Sequence, residues 1–155
     1  MNKKIVIVAA LLMVVCVGGA FAWGIGVQAG GGYPNPGNVA VTFKLDQLPL
    51  VFASNFYIGN SFYVGITGDY WFLNDTLVGP LNWYIGGGLG LGFGGFDDNF
   101  ALNMAARLPI GLNMFLVDNF IEPYFQVVPG LGLNFLPSFG AGFVFDANLG
   151  IRFWF

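Results

Sequence analysis

Histidine is absent from the 155 residues, and cysteine occurs once, at Cys16. Without histidine, the common Ser-His-Asp and Cys-His nucleophile arrangements cannot be built, and zinc sites made from Cys and His are excluded with them. Charge is nearly as scarce. Only 8% of residues are Asp, Glu, Lys or Arg, against about 25% in an ordinary soluble domain. Long apolar runs are scarce too, although 56% of the residues are hydrophobic and 18% aromatic. The one continuous run lies at the N-terminus, which excludes a multi-helix membrane bundle needing about 20 consecutive apolar residues per span. Basic patches are missing: beyond residue 22 only Lys44, Arg107 and Arg152 stand against eight acids, so nucleic acid is not an expected partner. A chain this apolar, with no row of helical spans, is left with a β-barrel, in which only every second residue meets lipid.

The N-terminus reads as a secretory signal peptide over residues 1–22. Lys3 and Lys4 supply its positive region, Ile5 to Val17 its apolar core, and Ala20-Phe21-Ala22 the small-x-small cleavage pattern. Cleavage after Ala22 makes Trp23 the first mature residue. Two other readings exist. Cys16 would mark a lipoprotein, but Val15 before it is too large for the usual lipobox. An uncleaved anchor helix would need a longer apolar run. The mature part lacks cysteine, which suits an oxidising periplasm without demanding a disulfide.

No linker or composition shift divides residues 23–155, so a single domain is expected there. Its hydrophobic pattern has a period close to 2, the mark of strands. The C-terminal segment is clearest. Phe143, Phe145, Ala147, Leu149, Ile151, Phe153 and Phe155 share one face, and Val144, Asp146, Asn148, Gly150, Arg152 and Trp154 share the other. The same parity recurs upstream, as in Trp83, Ile85, Leu89, Leu91 and Phe93 against Tyr84 and Gly86, Gly88, Gly90 and Gly92. Eight strands are predicted, over 23–29, 39–46, 50–57, 61–73, 81–93, 100–116, 120–134 and 141–155. The third is placed by elimination. Turn signals separate them, among them Gly59-Asn60, Gly79-Pro80 and Val117-Asp118-Asn119. Eight membrane strands use roughly 80 residues and leave about 50 for connections, whereas ten would leave too few. The fold class predicted is therefore all-β: an eight-stranded antiparallel up-and-down transmembrane barrel.

Lipid offers no hydrogen-bond partner, so every backbone polar group must be paired internally, and a closed barrel does so without an open edge. The face carrying Lys44, Asp69, Arg107, Glu122, Asp146 and Arg152 is expected to point inward, because Arg or Lys at mid-depth on the lipid face costs about 2–4 kcal/mol. An eight-stranded barrel is only wide enough for side chains to fill, so these six are read as an interior charge network. Glu122 and Arg152 are expected to face each other across the last two strands. Tyr63, Trp71, Tyr84, Tyr124 and Trp154 are expected to lie over the inward glycines of residues 86–92. Trp23, Tyr33, Phe62, Trp71, Phe72, Trp83, Phe93, Phe120 and Phe155 suit interfacial aromatic girdles.

The closing Gly150-Ile151-Arg152-Phe153-Trp154-Phe155 resembles the C-terminal signature of outer-membrane barrels. That resemblance implies that Ile151, Phe153 and Phe155 are read by the barrel-assembly machinery during biogenesis. The mature chain resembles small eight-stranded outer-membrane β-barrel proteins of the OmpA/OmpX type. Asp69-Tyr70, Pro80 to Gly86, Arg107 to Leu112 and Ile151 to Phe155 resemble, within them, a spirochaete-type family of small barrels. The implied location is the bacterial outer membrane, reached by export through the inner membrane, with outer-membrane lipid as the surrounding partner. No peptidoglycan-binding domain is expected after the barrel, a departure from OmpA itself.

No catalytic constellation is found, and neither a metal nor a cofactor is expected. Asp97-Asp98 could touch Ca²⁺, but two acids alone read as a solvated loop. Gly90 to Gly95 matches GxGxxG without the βαβ context that a phosphate site needs. Asp69, Glu122 and Asp146 could form an acid pair for hydrolysis; structural pairing with a basic partner is the favoured reading of each. The connections 30–38, 57–61, 94–99 and 134–141 are expected outside, and all are short, which disfavours an adhesin; no extracellular or host ligand follows from them. Three readings of function result. The first is a structural or surface-interaction barrel with a side-chain-filled interior and no catalysis. The second is a narrow pore or a small cavity for a lipid-like ligand above the glycine-lined strand 81–93. The third is a soluble lipocalin-like barrel, which would invert the parity.

Overall fold

The structure, a computed structural model, describes residues 22–34, 37–57, 62–96 and 99–155. Strict alternation drives nine strand segments: β1 (Trp23–Tyr33), β2 (Asn38–Leu45), β3 (Leu50–Tyr57), β4 (Tyr63–Val78), β5 (Leu81–Phe96), β6 (Asn99–Arg107), β7 (Ile110–Met114), β8 (Ile121–Leu136) and β9 (Gly140–Trp154). All pairings are antiparallel, and β1 pairs with β9 from Gly24↔Trp154 to Tyr33↔Phe145. The sheet therefore closes into a ring. Reciprocal bonds between Trp23 and Phe155 (N to O 3.1 and 2.9 Å) fasten the seam at the end that carries both residues.

Segments β6 and β7 form one barrel strand interrupted at Leu108-Pro109. Arg107 opposes Gly88 and Ile110 opposes Ile85, so the register against β5 carries straight across the gap. The register against β8 does the same, from Arg107↔Gly130 to Ile110↔Val127. Pro109 has no N–H for the ladder. The backbone is kept satisfied by Gly86 N donating to Pro109 O (2.8 Å) and Leu108 N to Pro129 O (2.9 Å). The barrel thus has the eight strands read from the sequence, the sixth locally notched. Strand β4 runs past its expected end at 73 to Val78, with register shifts between Trp71 and Leu73 and between Thr76 and Val78. Such bulges bend a strand and add twist.

Two turns at the end carrying Trp23 and Phe155 need left-handed backbone. Gly79 takes φ 54° at no steric cost. Val117, Asp118 and Asn119 take φ 53°, 52° and 67° in succession, closed by the Leu116↔Ile121 bridge. For a β-branched residue such as Val117 this conformation is strained.

The parity is that of a membrane barrel. Val27, Ile66, Leu89, Leu131 and Leu149 are all more than half exposed on the outer face. Lys44, Asp69, Glu122 and Arg152 are buried inside, with Arg107 beside them. The exposed acids among the described residues, Asp46, Asp75 and Asp118, all lie toward the end carrying Trp23 and Phe155. The lipocalin-like reading is thereby overturned, since it required apolar residues inside and charges outside.

Candidate functional site

The interior divides into a filled half and a hollow half. The filled half lies toward Trp23 and Phe155. Glu122 is its centre, fully buried. Its Oε2 accepts from Arg152 Nη1 (2.7 Å) and Trp154 Nε1 (2.9 Å), and its Oε1 accepts from Asn113 Nδ2 (2.7 Å). Lys44 Nζ stands 3.9 Å from Oε1 and 4.0 Å from the centre of the Trp71 ring. The Arg152 guanidinium lies over Tyr124, 4.2 Å from the ring centre, and its Nε donates to Thr42 (3.4 Å). Glu122 and Arg152 are direct cross-strand partners on β8 and β9. A two-residue period puts both inside once either one is, and this is why the pair is visible in the sequence.

Aromatic rings complete the plug. Trp71 and Tyr84 stack with centroids 3.7 Å apart at 11°, and Val51 packs against them. Tyr84 donates to Gln126 (3.0 Å) and Tyr124 to Gln28 (3.0 Å). Among the described residues, each charge of this cross-section stands against a counter-charge: Lys44 and Arg152 against Glu122. That pairing matters, because a buried charge left without a counter-charge is strongly destabilising.

The aromatic side chains find glycines, though mostly not those expected. Tyr63 lies over Gly92 and Trp71 over Gly86, as the sequence suggests. Tyr84 instead covers Gly111, Tyr124 covers Gly150, and Trp154 covers Gly24. Each of these glycines sits on a flanking strand, so a large ring fits where a Cβ would collide. Trp71 is 4% exposed and so leaves the expected girdle for the core. Trp23, Phe43, Phe120, Phe153 and Phe155 form an outer aromatic cluster at the end where the seam is fastened.

A second ion pair stands higher up. Arg107 forks onto Asp69, Nε to Oδ1 at 3.0 Å and Nη2 to Oδ2 at 3.1 Å. Above it the barrel is hollow. A cavity of about 340 Å³ extends from Thr67 and Val128 to Tyr33, Pro34 and Gly140 at the end opposite Trp23 and Phe155. It exists because the inward positions here are small: Gly65, Gly90, Gly92, Ala105, Gly132 and Gly142 line it. The expectation of a wholly side-chain-filled interior is corrected for this half. The inward glycine row of β5 reads in the sequence as space for rings, but of the five rings expected there only Tyr63 and Trp71 reach it. The wall is not suited to a lipid-like occupant either, since Thr67, Asn103, Asn134, Arg107 and Asp146 share it.

Of the six charged residues expected to form one network, the structure unites Lys44, Glu122 and Arg152 and pairs Asp69 with Arg107. Asp146 joins neither and makes no ion pair among the described residues. The neutral members Gln28, Thr42, Asn113 and Gln126 are marked by the sequence only as inward-facing, because parity carries no signal of which polar groups meet. Ile151, Phe153 and Phe155 lie on the outer face, and Ile151 and Phe153 oppose Val27 and Ile25 of β1. Ala22 is exposed. Ala20, the rest of the signal region and Asp97-Asp98 lie outside the described residues.

No protein-family profile matches the chain, and no curated protein matches it in sequence. Solved structures do match it in shape. The N-terminal β-barrel domain of Pseudomonas aeruginosa OprF aligns over 86% of this chain and 97% of its own, with 16% identity and a TM-score of 0.53. Neisserial surface protein A (NspA) aligns over 87% and 97%, with 15% identity and a TM-score of 0.48. A major outer membrane protein from Thermus thermophilus aligns over 88% and 100%, with 13% identity and a TM-score of 0.43. Together with the closed antiparallel ring and its outward apolar face, the likeness to the OprF domain establishes the fold as that of a small outer-membrane β-barrel.

Proposed function

We propose that this chain is an integral protein of a bacterial outer membrane that serves a structural or surface-interaction role, catalyses nothing and conducts no solute. The observation that carries the reading is the plug. Glu122, Arg152, Tyr84 and Tyr124 are each at most 2% exposed and span the lumen from wall to wall. Water or an ion crossing the barrel would have to break the Glu122–Arg152 pair and the Trp71–Tyr84 stack together. Two of the three inward carboxylates, on Asp69 and Glu122, are held by guanidinium groups, which supports a structural use over hydrolysis. The proposal includes export by the segment 1–22, assembly through Ile151, Phe153 and Phe155, and the end carrying Trp23 and Phe155 facing the periplasm. It also includes kinship with the spirochaete-type small barrels, which rests on the sequence pattern.

Planar-bilayer recording of the refolded protein tests this reading. The wild type is expected to show no steps above baseline. The double variant Trp71→Ala/Tyr84→Ala, which removes the stack, is expected to open a small leak. Reproducible ohmic conductance from the wild type would overturn the proposal in favour of a narrow pore.

A further inference from the structure

At the end opposite Trp23 and Phe155 the ring leaves one strand edge open. β1 pairs with β9 only as far as Tyr33↔Phe145, while β9 runs on to Gly140, opposite Asn134 of β8. Gly140 to Val144 therefore pair on the β8 side alone among the described residues. The sequence explains the stop. Pro34 follows Tyr33 and Pro36 comes next but one, and neither has an N–H for a ladder. Antiparallel strands exchange both bonds at every second residue pair. Trp23 and Phe155 are such a pair, and Trp154 N donates to Phe120 O on the other side. Odd-numbered residues of β9 thus turn their backbone polar groups toward β1. The groups left over on the open edge are the N–H and C=O of Ala141 and Phe143. A Cβ added at Gly140 or Gly142 would meet nothing within 4 Å, so the space beside the edge is open on the inward side too.

Open strand edges are ordinarily guarded against stray pairing by charges, prolines or bulges. β4 shows the guarded kind. Its pairing with β3 ends at Leu50↔Tyr70, and Leu73 to Val78 pair only with β5. Exposed Asp75 and the register shifts at Trp71/Leu73 and Thr76/Val78 blunt that edge. The β9 edge has no such device. Gly140-Ala141-Gly142-Phe143-Val144 carries no charge and no proline, and its register with β8 runs without a shift. It is a template for strand addition, in which main-chain bonds give affinity and alternate side chains give selectivity.

The surroundings set the chemistry of the added strand. Residues opposite Ala141 and Phe143 would point outward, beside exposed Phe143 and Leu131, which suits apolar side chains. The alternate residues would turn toward the cavity, whose wall includes Gly142, Val144 and Asp146. Asp146 makes no ion pair among the described residues. It shares the inward face with Val144, two positions along β9, a diagonal spacing that long side chains bridge. We propose that the β9 edge captures an extended segment of a partner protein, antiparallel to β9, with apolar residues outward and a lysine or arginine turned in toward Asp146. The proposal names the partner of the surface-interaction role and rests on that reading and its orientation. A second copy fits poorly. In one membrane both β9 strands run the same way, tilted by about 35–45°, so across a two-fold axis their edges cross instead of aligning.

Amide exchange read by NMR on the detergent-refolded barrel tests this, with acetyl-Thr-Val-Lys-Val-Thr-Val-Thr-amide as the probe. Saturating peptide is expected to slow exchange at Ala141 and Phe143, and not at Asp75 or Thr76 on the guarded edge. The same peptide with Glu in place of Lys should bind about tenfold more weakly, and Asp146→Asn should erase that difference. N-methylation of the valines blocks the main-chain bonds without touching the barrel and should abolish binding. Ala141→Pro should abolish it from the other side. The Ala141 N–H serves no ladder bond, so that variant should still fold, judged by heat-modifiable gel migration. The proposal fails if the peptide protects neither amide, if the N-methylated peptide binds as well, or if the Glu peptide binds as tightly. Protection that grows with barrel concentration and needs no peptide would assign the edge to a second copy and overturn it. Any of these failures would leave the bilayer recording, and the non-conducting reading it tests, as they stand.

Discussion

The pair Glu122–Arg152 offers the sharpest perturbation. Both side chains are almost wholly out of solvent, 0% and 1% exposed. Their 2.7 Å contact is charge-assisted and fully desolvated. Breaking a buried pair by removing one partner costs about 3–5 kcal/mol, because the survivor is left uncompensated. The two halves should not be equal here. Glu122→Gln leaves two cations, Arg152 and Lys44, around a neutral amide, which belongs at the upper end, about 5 kcal/mol. Arg152→Met leaves Glu122 with Lys44 at 3.9 Å and with the donors Asn113 and Trp154, so about 3 kcal/mol is expected. The double variant leaves only Lys44 without a counter-charge, so it should cost less than Glu122→Gln alone and well under the sum of the two single costs. Urea unfolding in lipid vesicles, followed by tryptophan fluorescence, measures all four proteins of the cycle. If the double variant is the least stable, and the two single costs simply add, the plug is not held by this pair and the reasoning is refuted.

Other consequences can be checked in the same assay. Gly26→Ala should destabilise strongly, because its Cβ would meet Ile151 O and Arg152 on the neighbouring strand, while Gly142→Ala should be near neutral in open space. Equal effects would contradict the packing described. Val117→Gly should raise stability by about 1 kcal/mol by relieving a left-handed β-branched residue; a loss would show that the Val117 side chain matters more than its backbone strain. Trp154→Phe should cost about 1.5–3 kcal/mol through the lost indole bond to Glu122, with the loss largely absent in a Glu122→Gln background.

Much of the barrel can be read from residue order because one rule, period 2, governs both faces. Once Phe153 is outside, Arg152 and Glu122 follow inside across a single hairpin, and Lys44 follows by the parity of Val41 and Phe43. The notch at Pro109 is less visible, since an interior proline ends ladder bonds without moving the register on either side. The extension of β4 to Val78 depends on two bulges, which shift parity locally and hide a strand from any count of alternation. The division into plug and cavity is not legible at all. Glycine at Gly90, Gly132 or Gly142 reads the same whether a neighbouring ring covers it or nothing does, and only the direction of Tyr84, Tyr124 and Trp154 toward the far end decides that. The isolation of Asp146 arises likewise from Arg107 choosing Asp69.

The claim beneath the whole account is that lipid touches only one of the two faces of each strand. Quenching by brominated lipid measures this directly in single-tryptophan proteins. One retains Trp71 with the other tryptophans changed to Phe, and a second carries Leu149→Trp with all four native tryptophans changed to Phe. The account predicts strong quenching at position 149, which is 67% exposed on the outer face, and little at Trp71, which is 4% exposed inside. Equal quenching of the two, or stronger quenching of Trp71, would contradict it.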